Sequence, residues 1–201
     1  PHHLGLSPNR TRIAVAAPEA DLSAGHGETH VAGAALYLID TRTGDVVAQR
    51  LAGGTAHNLA FLPDASALVF ARHEDATLRL AKIADLADAG SVTVGKAPLE
   101  ATPVPGGKLV LVANSGEGTI SVVDAATKKV TKTIVVGSNP VGAWMGADGR
   151  AYVTSESDKT ISSINLSTLA VFATATLRGI PGQAVTSSDG KELWVASEDE
   201  K

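Results

Sequence analysis

The chain has 201 residues, of which 44% are hydrophobic and 3% aromatic, and its formal net charge is −4. This charge argues against a nucleic-acid partner, which calls for basic patches, and no apolar run approaches the roughly 20 residues that span a bilayer. The chain has no cysteine, which excludes disulfides, thiolate ligands, a cysteine nucleophile and covalent c-type haem attachment within it.

Taken in chain order, the predicted elements are strands separated by polar turns. Asp-Gly pairs at positions 148–149 and 189–190 favour tight hairpins, because glycine accepts the positive φ that such turns need. The segment AKIADLADAG at 81–90 has some helical character, but it lies where the pattern requires a strand and a turn. Second strands of successive units are predicted at 13–17, 67–72, 109–114, 151–156 and 192–198, and third strands at 34–40, 77–85, 119–124 and 160–165.

The predicted strands belong to a repeat of about 42 residues. Its units end in Gly-to-Ala or Gly-to-Pro exits at 53–56, 95–98, 137–140 and 179–181, and the first unit contains an insertion of about 13 residues. Self-similarity at this period is typical of a β-propeller, in which each repeat supplies one four-stranded antiparallel blade. We therefore predict an all-β propeller with repeats at 1–56, 57–98, 99–140 and 141–181 and a partial repeat at 182–201.

These units amount to about 4.5 blades, because the last repeat supplies only the first two strands of a fifth blade. Propellers close with 4 to 8 complete blades. An unfinished last blade leaves unpaired strand edges, and the chain begins at Pro1 rather than at methionine. We expect a single domain, or a fragment of one, that belongs to a larger ring of seven blades. A five-bladed ring completed by a second chain is the alternative.

Two of the repeats carry a family resemblance. The segment YVTS at 152–155, followed by a polar turn and TISSIN, resembles the YVTN-type β-propeller repeat, and VAN at 112–114 followed by GTISVVD is similar to its commoner variant. This resemblance covers nearly the whole chain and implies an exported bacterial or archaeal protein, periplasmic or extracellular. Relatives of the family include surface-layer proteins and lactonase-type and haem-binding nitrite reductase propellers, so the resemblance specifies architecture rather than activity.

All six histidines lie within the first 73 residues. Because the chain reverses at each strand, the start of a first strand and the turn after a second strand lie on the same face of a propeller. The histidines should therefore share one face of two neighbouring blades. They are His2, His3 and His57 at the starts of first strands, His26 and His30 in the insertion, and His73 in the corresponding turn of the second unit.

The insertion contains an H-x-E-x-H pattern formed by His26, Glu28 and His30. Imidazole and carboxylate ligands at this spacing suit zinc or copper, and His2, His3 or His57 would complete a tetrahedral set. The pattern is weaker than H-E-x-x-H because no helix fixes its geometry. The alternative interpretation is that these histidines are ordinary residues of strand starts and of an exposed loop.

Other polar and aromatic residues have structural interpretations. Asp40, Asp124 and Asn165 recur at the ends of third strands, which predicts turn caps rather than catalytic groups. Trp144 and Trp194 are predicted to pack between blades. No G-x-S-x-G elbow is present.

Three functions follow from this sequence. The first is an exported, non-enzymatic propeller that binds a ligand, a zinc or copper ion, at its histidine-bearing face. The second is a surface or protein-interaction scaffold without a metal. The third is a lactonase-like or haem-dependent enzyme, which would require carboxylates or histidines converging from several blades, whereas the histidines come from two.

Overall fold

The computed structural model describes residues 3–18, 34–54 and 56–198, and these consist of β-strands and turns. Within these ranges no helix is long and apolar enough to cross a bilayer. The strands are β1 (His3–Leu6), β2 (Arg12–Pro18), β3 (Ala34–Asp40), β4 (Val46–Leu51), β5 (Ala60–Phe61), β6 (Leu68–Arg72), β7 (Thr77–Ala81), β8 (Asp88–Thr93), β9 (Pro98–Pro103), β10 (Leu109–Asn114), β11 (Thr119–Asp124), β12 (Lys129–Val135), β13 (Pro140–Met145), β14 (Arg150–Ser155), β15 (Thr160–Asn165), β16 (Ala170–Thr176), β17 (Ile180–Thr186) and β18 (Leu193–Glu198).

Strands that are consecutive in the sequence pair antiparallel and form separate sheets. Four sheets have four strands each, in the orders β1-β2-β3-β4, β5-β6-β7-β8, β9-β10-β11-β12 and β13-β14-β15-β16, and β17 pairs with β18 in a two-stranded sheet. We call them the first to fifth blades. The predicted all-β class with four-stranded antiparallel blades is confirmed.

The sheets fan around a common axis. The first strands of successive blades, β1, β5, β9, β13 and β17, contact one another in chain order. Apolar side chains from adjoining sheets form one buried cluster between the first and second blades, another between the second and third, and another between the third and fourth. The outermost strand β16 is exposed along its whole length. In the third blade the middle strands β10 and β11 are the most buried, whereas the inner strand β9 is partly buried and the outer strand β12 is mostly exposed.

The turns follow from the residues that the sequence places there. Gly149 and Gly190 have φ of 77° and 70° in the hairpins after β13 and β17. The Asp124 carboxylate accepts backbone N–H bonds from Ala126 at 2.9 Å and Thr127 at 2.8 Å. The same bonding at Asp40 and Asn165 confirms all three as turn caps.

Two predicted details change. The third strand of the second blade ends at Ala81 rather than at 85, because the Leu86 N–H bonds to the Lys82 carbonyl and closes a turn there. The segment 81–90 is otherwise strand and turn, as predicted. Trp194 is 64% exposed. Its predicted packing between blades is therefore wrong for the described residues, since β18 lies in the last, two-stranded sheet.

Two of the exit glycines, Gly95 and Gly137, are required by close packing. A methyl group at Gly137 would lie 2.5 Å from Thr160 Oγ1 and 2.7 Å from Ser155 Cβ. At Gly95, one repeat earlier, it would lie 2.5 Å from Asn114 Cγ. These two exits therefore press against the polar end of the following blade, and no side chain larger than hydrogen fits at Gly95 or Gly137.

Candidate functional site

Hydrogen bonds define one face of the propeller on which strand starts and turns meet. The carbonyls of Lys96 and Ala97, just before β9, accept backbone N–H bonds from Gly116 and Ser115 in the β10–β11 turn. We call this end of the molecule, where β5, β9, β13 and β17 begin, the upper face. This is the face on which the sequence predicts the histidines to lie.

The structure brings two of the predicted ligands to neighbouring positions on the upper face. His3 opens β1 and is partly buried, and its Nδ1 is a buried atom with no hydrogen-bond partner among the described residues. His57 is exposed and lies three residues before β5. The two strands are neighbours, because a Cβ at Gly5 would lie 3.1 Å from the Leu59 carbonyl oxygen.

The insertion leaves and rejoins the sheet beside His3. The strand register pairs His3 with Ala16, and Pro18, two residues further on, pairs with Ala34 across the insertion. Both anchors of the segment therefore lie at the end of the sheet where His3 lies. The remaining predicted ligands fall outside the described residues; they are His2, His26, Glu28 and His30.

Within the described ranges, no three histidine or carboxylate side chains come close enough to hold a metal ion. His73 lies exposed in the β6–β7 turn of the second blade. His3 and His57 are thus two candidate donors from adjacent blades, and a metal site would need further ligands.

A position in or just before the first strands carries a polar side chain in two blades and glycine in a third, and the sequence analysis missed it. It recurs at 42-residue intervals as Asn58, Glu100 and Gly142. Asn58 is buried and links the second and third blades, because its Nδ2 donates to the Ala101 carbonyl at 3.1 Å and its Oδ1 accepts from the Ala101 N–H at 3.0 Å. This residue is a structural clamp between adjacent first strands.

Glu100 occupies the same position one blade later, in an apolar setting. A methyl group at Gly142 would lie 3.0 Å from the Glu100 Cδ and 3.1 Å from the Trp144 Cη2, so the carboxyl fits beside the indole because residue 142 has no side chain. Burial raises the pKa of Glu100 from 4.5 to about 7. A carboxyl of this kind can hold or release a proton near neutral pH.

Comparisons with known proteins show which folds this chain resembles. No family model matches the chain. The seven-bladed β-propeller protein Rv1057 of Mycobacterium tuberculosis is 31% identical over 128 residues, which cover 59% of this chain and 33% of that protein. The match therefore spans about a third of the relative's length.

Solved structures agree on the architecture. Hydrazine synthase of Kuenenia stuttgartiensis superposes with a TM-score of 0.81 at 18% identity, covering 97% of this chain and 55% of that one. A functionally unknown protein from Desulfotomaculum acetoxidans gives 0.79 at 14% identity, covering 97% and 62%. The β-propeller domain of Cps50 (Swd1) from Myceliophthora thermophila gives 0.77 at 13% identity, covering 99% and 67%. At these identities the likeness concerns fold alone, and the chain is a partial β-propeller.

Proposed function

We propose that this chain is part of an exported, non-enzymatic β-propeller of the YVTN type that binds a transition metal, zinc or copper, on the upper face of its first two blades. Export to the periplasm or cell exterior is supported by the repeat resemblance and is compatible with the absence of cysteine. A ring of seven blades is supported by the seven-bladed relative.

One observation carries the metal proposal. His3 has a buried Nδ1 without a hydrogen-bond partner among the described residues, and it lies beside both anchors of the segment that carries His26 and His30. A buried polar atom without a partner costs free energy unless something binds it. Imidazole nitrogen is a preferred ligand of Zn²⁺ and Cu²⁺, so a bound ion would satisfy it.

Calorimetric titration of Zn²⁺ and of Cu²⁺ into chelator-treated protein tests this proposal. We expect a dissociation constant below about 10 µM, which corresponds to a binding free energy of roughly 7 kcal/mol. The variants His3→Ala and His26→Ala/His30→Ala should each weaken binding at least tenfold. His73→Ala is the matched control, since His73 is exposed in a turn of the next blade, and its isotherm should match the wild type.

Two outcomes would overturn the metal proposal. One is a dissociation constant weaker than about 10 µM for both ions. The other is tight binding that survives the loss of His3 and of the His26/His30 pair, because the ion would then be held elsewhere.

A protein-interaction scaffold is the second candidate function, and exposed apolar side chains favour it. Val135 of β12 and Phe172 of β16, on the outer strands of the third and fourth blades, are 75% and 62% exposed. Such surfaces occur where another protein surface packs. This function predicts that replacing every histidine with alanine leaves partner binding unchanged.

A further inference from the structure

A cavity of about 80 Å³ lies between the first and second blades, away from the first strands. Three arginines line it, namely Arg50 on β4, Arg72 at the end of β6 and Arg79 on β7. We call it the arginine cavity. Asp88 contributes a carboxylate to the same wall, and the apolar part includes Leu36 and Phe70.

Two of these arginines replace small polar residues of the repeat. The strand register places Arg72 where the third blade has Asn114, and Arg79 where it has Ser121. In the third blade Asn114 Nδ2 donates to Ser121 Oγ at 2.9 Å, and both side chains are buried. The fold therefore fills this place with an amide and a hydroxyl, and it does not require two guanidinium groups.

The third arginine replaces a buried apolar residue. Arg50 faces Leu36 on the neighbouring strand, and the equivalent position holds Val92 in the second blade and Ile134 in the third. Val92 and Ile134 are 6% and 5% exposed and belong to the cores between blades. A charged side chain at position 50 thus takes the place of an apolar core residue at the interface between the first and second blades.

The three arginines of the cavity differ in whether a carboxylate neutralises them. Arg79 Nη2 lies 2.7 Å from the Asp75 carboxylate, and Arg79 Nη1 lies 3.8 Å from Asp88. Arg72 Nη1 is 3.6 Å from the same Asp75 oxygen, while Arg72 Nε is buried without a hydrogen-bond partner among the described residues. Arg50 Nη1 donates to the Leu86 carbonyl at 2.8 Å, which carries no formal charge. The Glu74 carboxylate also lies near Arg72, because a Cβ at Gly54 would lie 2.6 Å from Glu74 Oε2 and 3.3 Å from Arg72 Nε. Arg50 is therefore the arginine of this cavity that has no carboxylate at ion-pair distance among the described residues.

We propose that the arginine cavity binds a small oxyanion, either phosphate or the carboxylate of a small acid. Guanidinium groups present paired N–H donors that match the oxygens of both anions. The volume suits an ion of a few heavy atoms. The cavity is separate from the histidine-bearing upper face, so this proposal does not depend on metal binding.

Thermal unfolding of the full chain in increasing inorganic phosphate tests the proposal, with sodium chloride at matched ionic strength as the salt reference. Phosphate stabilises many proteins weakly by exclusion from their surface, and that effect does not saturate. A bound ion instead raises Tm along a saturating curve. A second series with sodium acetate distinguishes a carboxylate ligand from phosphate.

One variant removes a positive charge from the cavity and another removes a negative charge, so the two should change phosphate binding in opposite directions. Arg50→Gln should weaken phosphate binding at least tenfold by removing a charged donor, and Asp88→Asn should tighten it several-fold by removing a repelling carboxylate. Arg178→Gln is the control, because Arg178 is exposed on another blade, and it should leave the curve unchanged.

The result that would overturn the proposal is the absence of a saturable Tm rise in both phosphate and acetate. A saturable rise that is insensitive to both Arg50→Gln and Asp88→Asn would overturn it equally. Where Arg50→Gln does not fold, the Asp88→Asn result decides alone.

Discussion

At residue 100 the repeat places an acid where the preceding blade has a hydrogen-bonded amide. Asn58 satisfies both of its polar groups on Ala101, whereas Glu100 lies against Gly142 and the indole of Trp144. Removing an ionised carboxylate from water is costly, and protonation avoids that cost. The neutral form of Glu100 is therefore the one that the folded chain favours at mildly acidic pH.

This preference predicts how stability changes with pH. Burial raises the pKa of Glu100 in the folded chain to about 7, above the ordinary value of 4.5. Between these values the folded chain binds more protons than the unfolded chain, so the free energy of unfolding falls as pH rises and levels off above about pH 7. Glu100→Gln should remove this decline and stabilise the protein at pH 8 by up to about 3 kcal/mol.

Urea unfolding at a series of pH values measures the effect. Glu192→Gln is the control, because the Glu192 side chain is exposed, and its curve should follow the wild type. Parallel curves for the wild type and Glu100→Gln would contradict the burial of a protonatable carboxyl at this position.

At the scale of the element, the exit segments hold successive blades together. The Gly137 position is closed by Thr160 and Ser155 of the following blade. Gly137→Ala should therefore destabilise the chain by about 1–3 kcal/mol, since the polar end of the fourth blade must shift to admit a methyl group.

The matched control for this change is Gly107→Ala. A Cβ at Gly107 would meet its nearest atom at 3.9 Å, and its φ is not positive. Chemical denaturation should show Gly107→Ala within about 0.5 kcal/mol of the wild type. An equally small effect at Gly137 would show that the exits pack more loosely than described.

The strands were predictable because each unit contains its own signals. Alternating apolar residues, Asp-Gly turns and the capping residues Asp40, Asp124 and Asn165 act within one repeat, and the structure confirms these caps. The end of β7 was missed because Lys82 takes the place of the capping acid, so the sequence pattern did not mark where the strand stops.

At the scale of the whole molecule, sites form between blades, and the single repeat does not contain them. The burial of Glu100 depends on Gly142, which leaves room for its carboxyl. Arg50 is unusual because the equivalent positions of the next two blades hold the buried apolar residues Val92 and Ile134. Comparing the repeats position by position would have identified both residues as departures from their equivalents. The sequence did place His3 and His57 on neighbouring blades, while the predicted metal site stays a prediction.

We propose that the upper face of the first two blades binds a transition metal through His3 and its neighbours. Crystals grown with zinc, with data collected at the zinc absorption edge, test it most directly. We expect an anomalous peak with an imidazole nitrogen of His3 about 2.0–2.1 Å away. Well-ordered His3 and His57 side chains with no peak between the first two blades, or peaks confined to other surfaces, would contradict it.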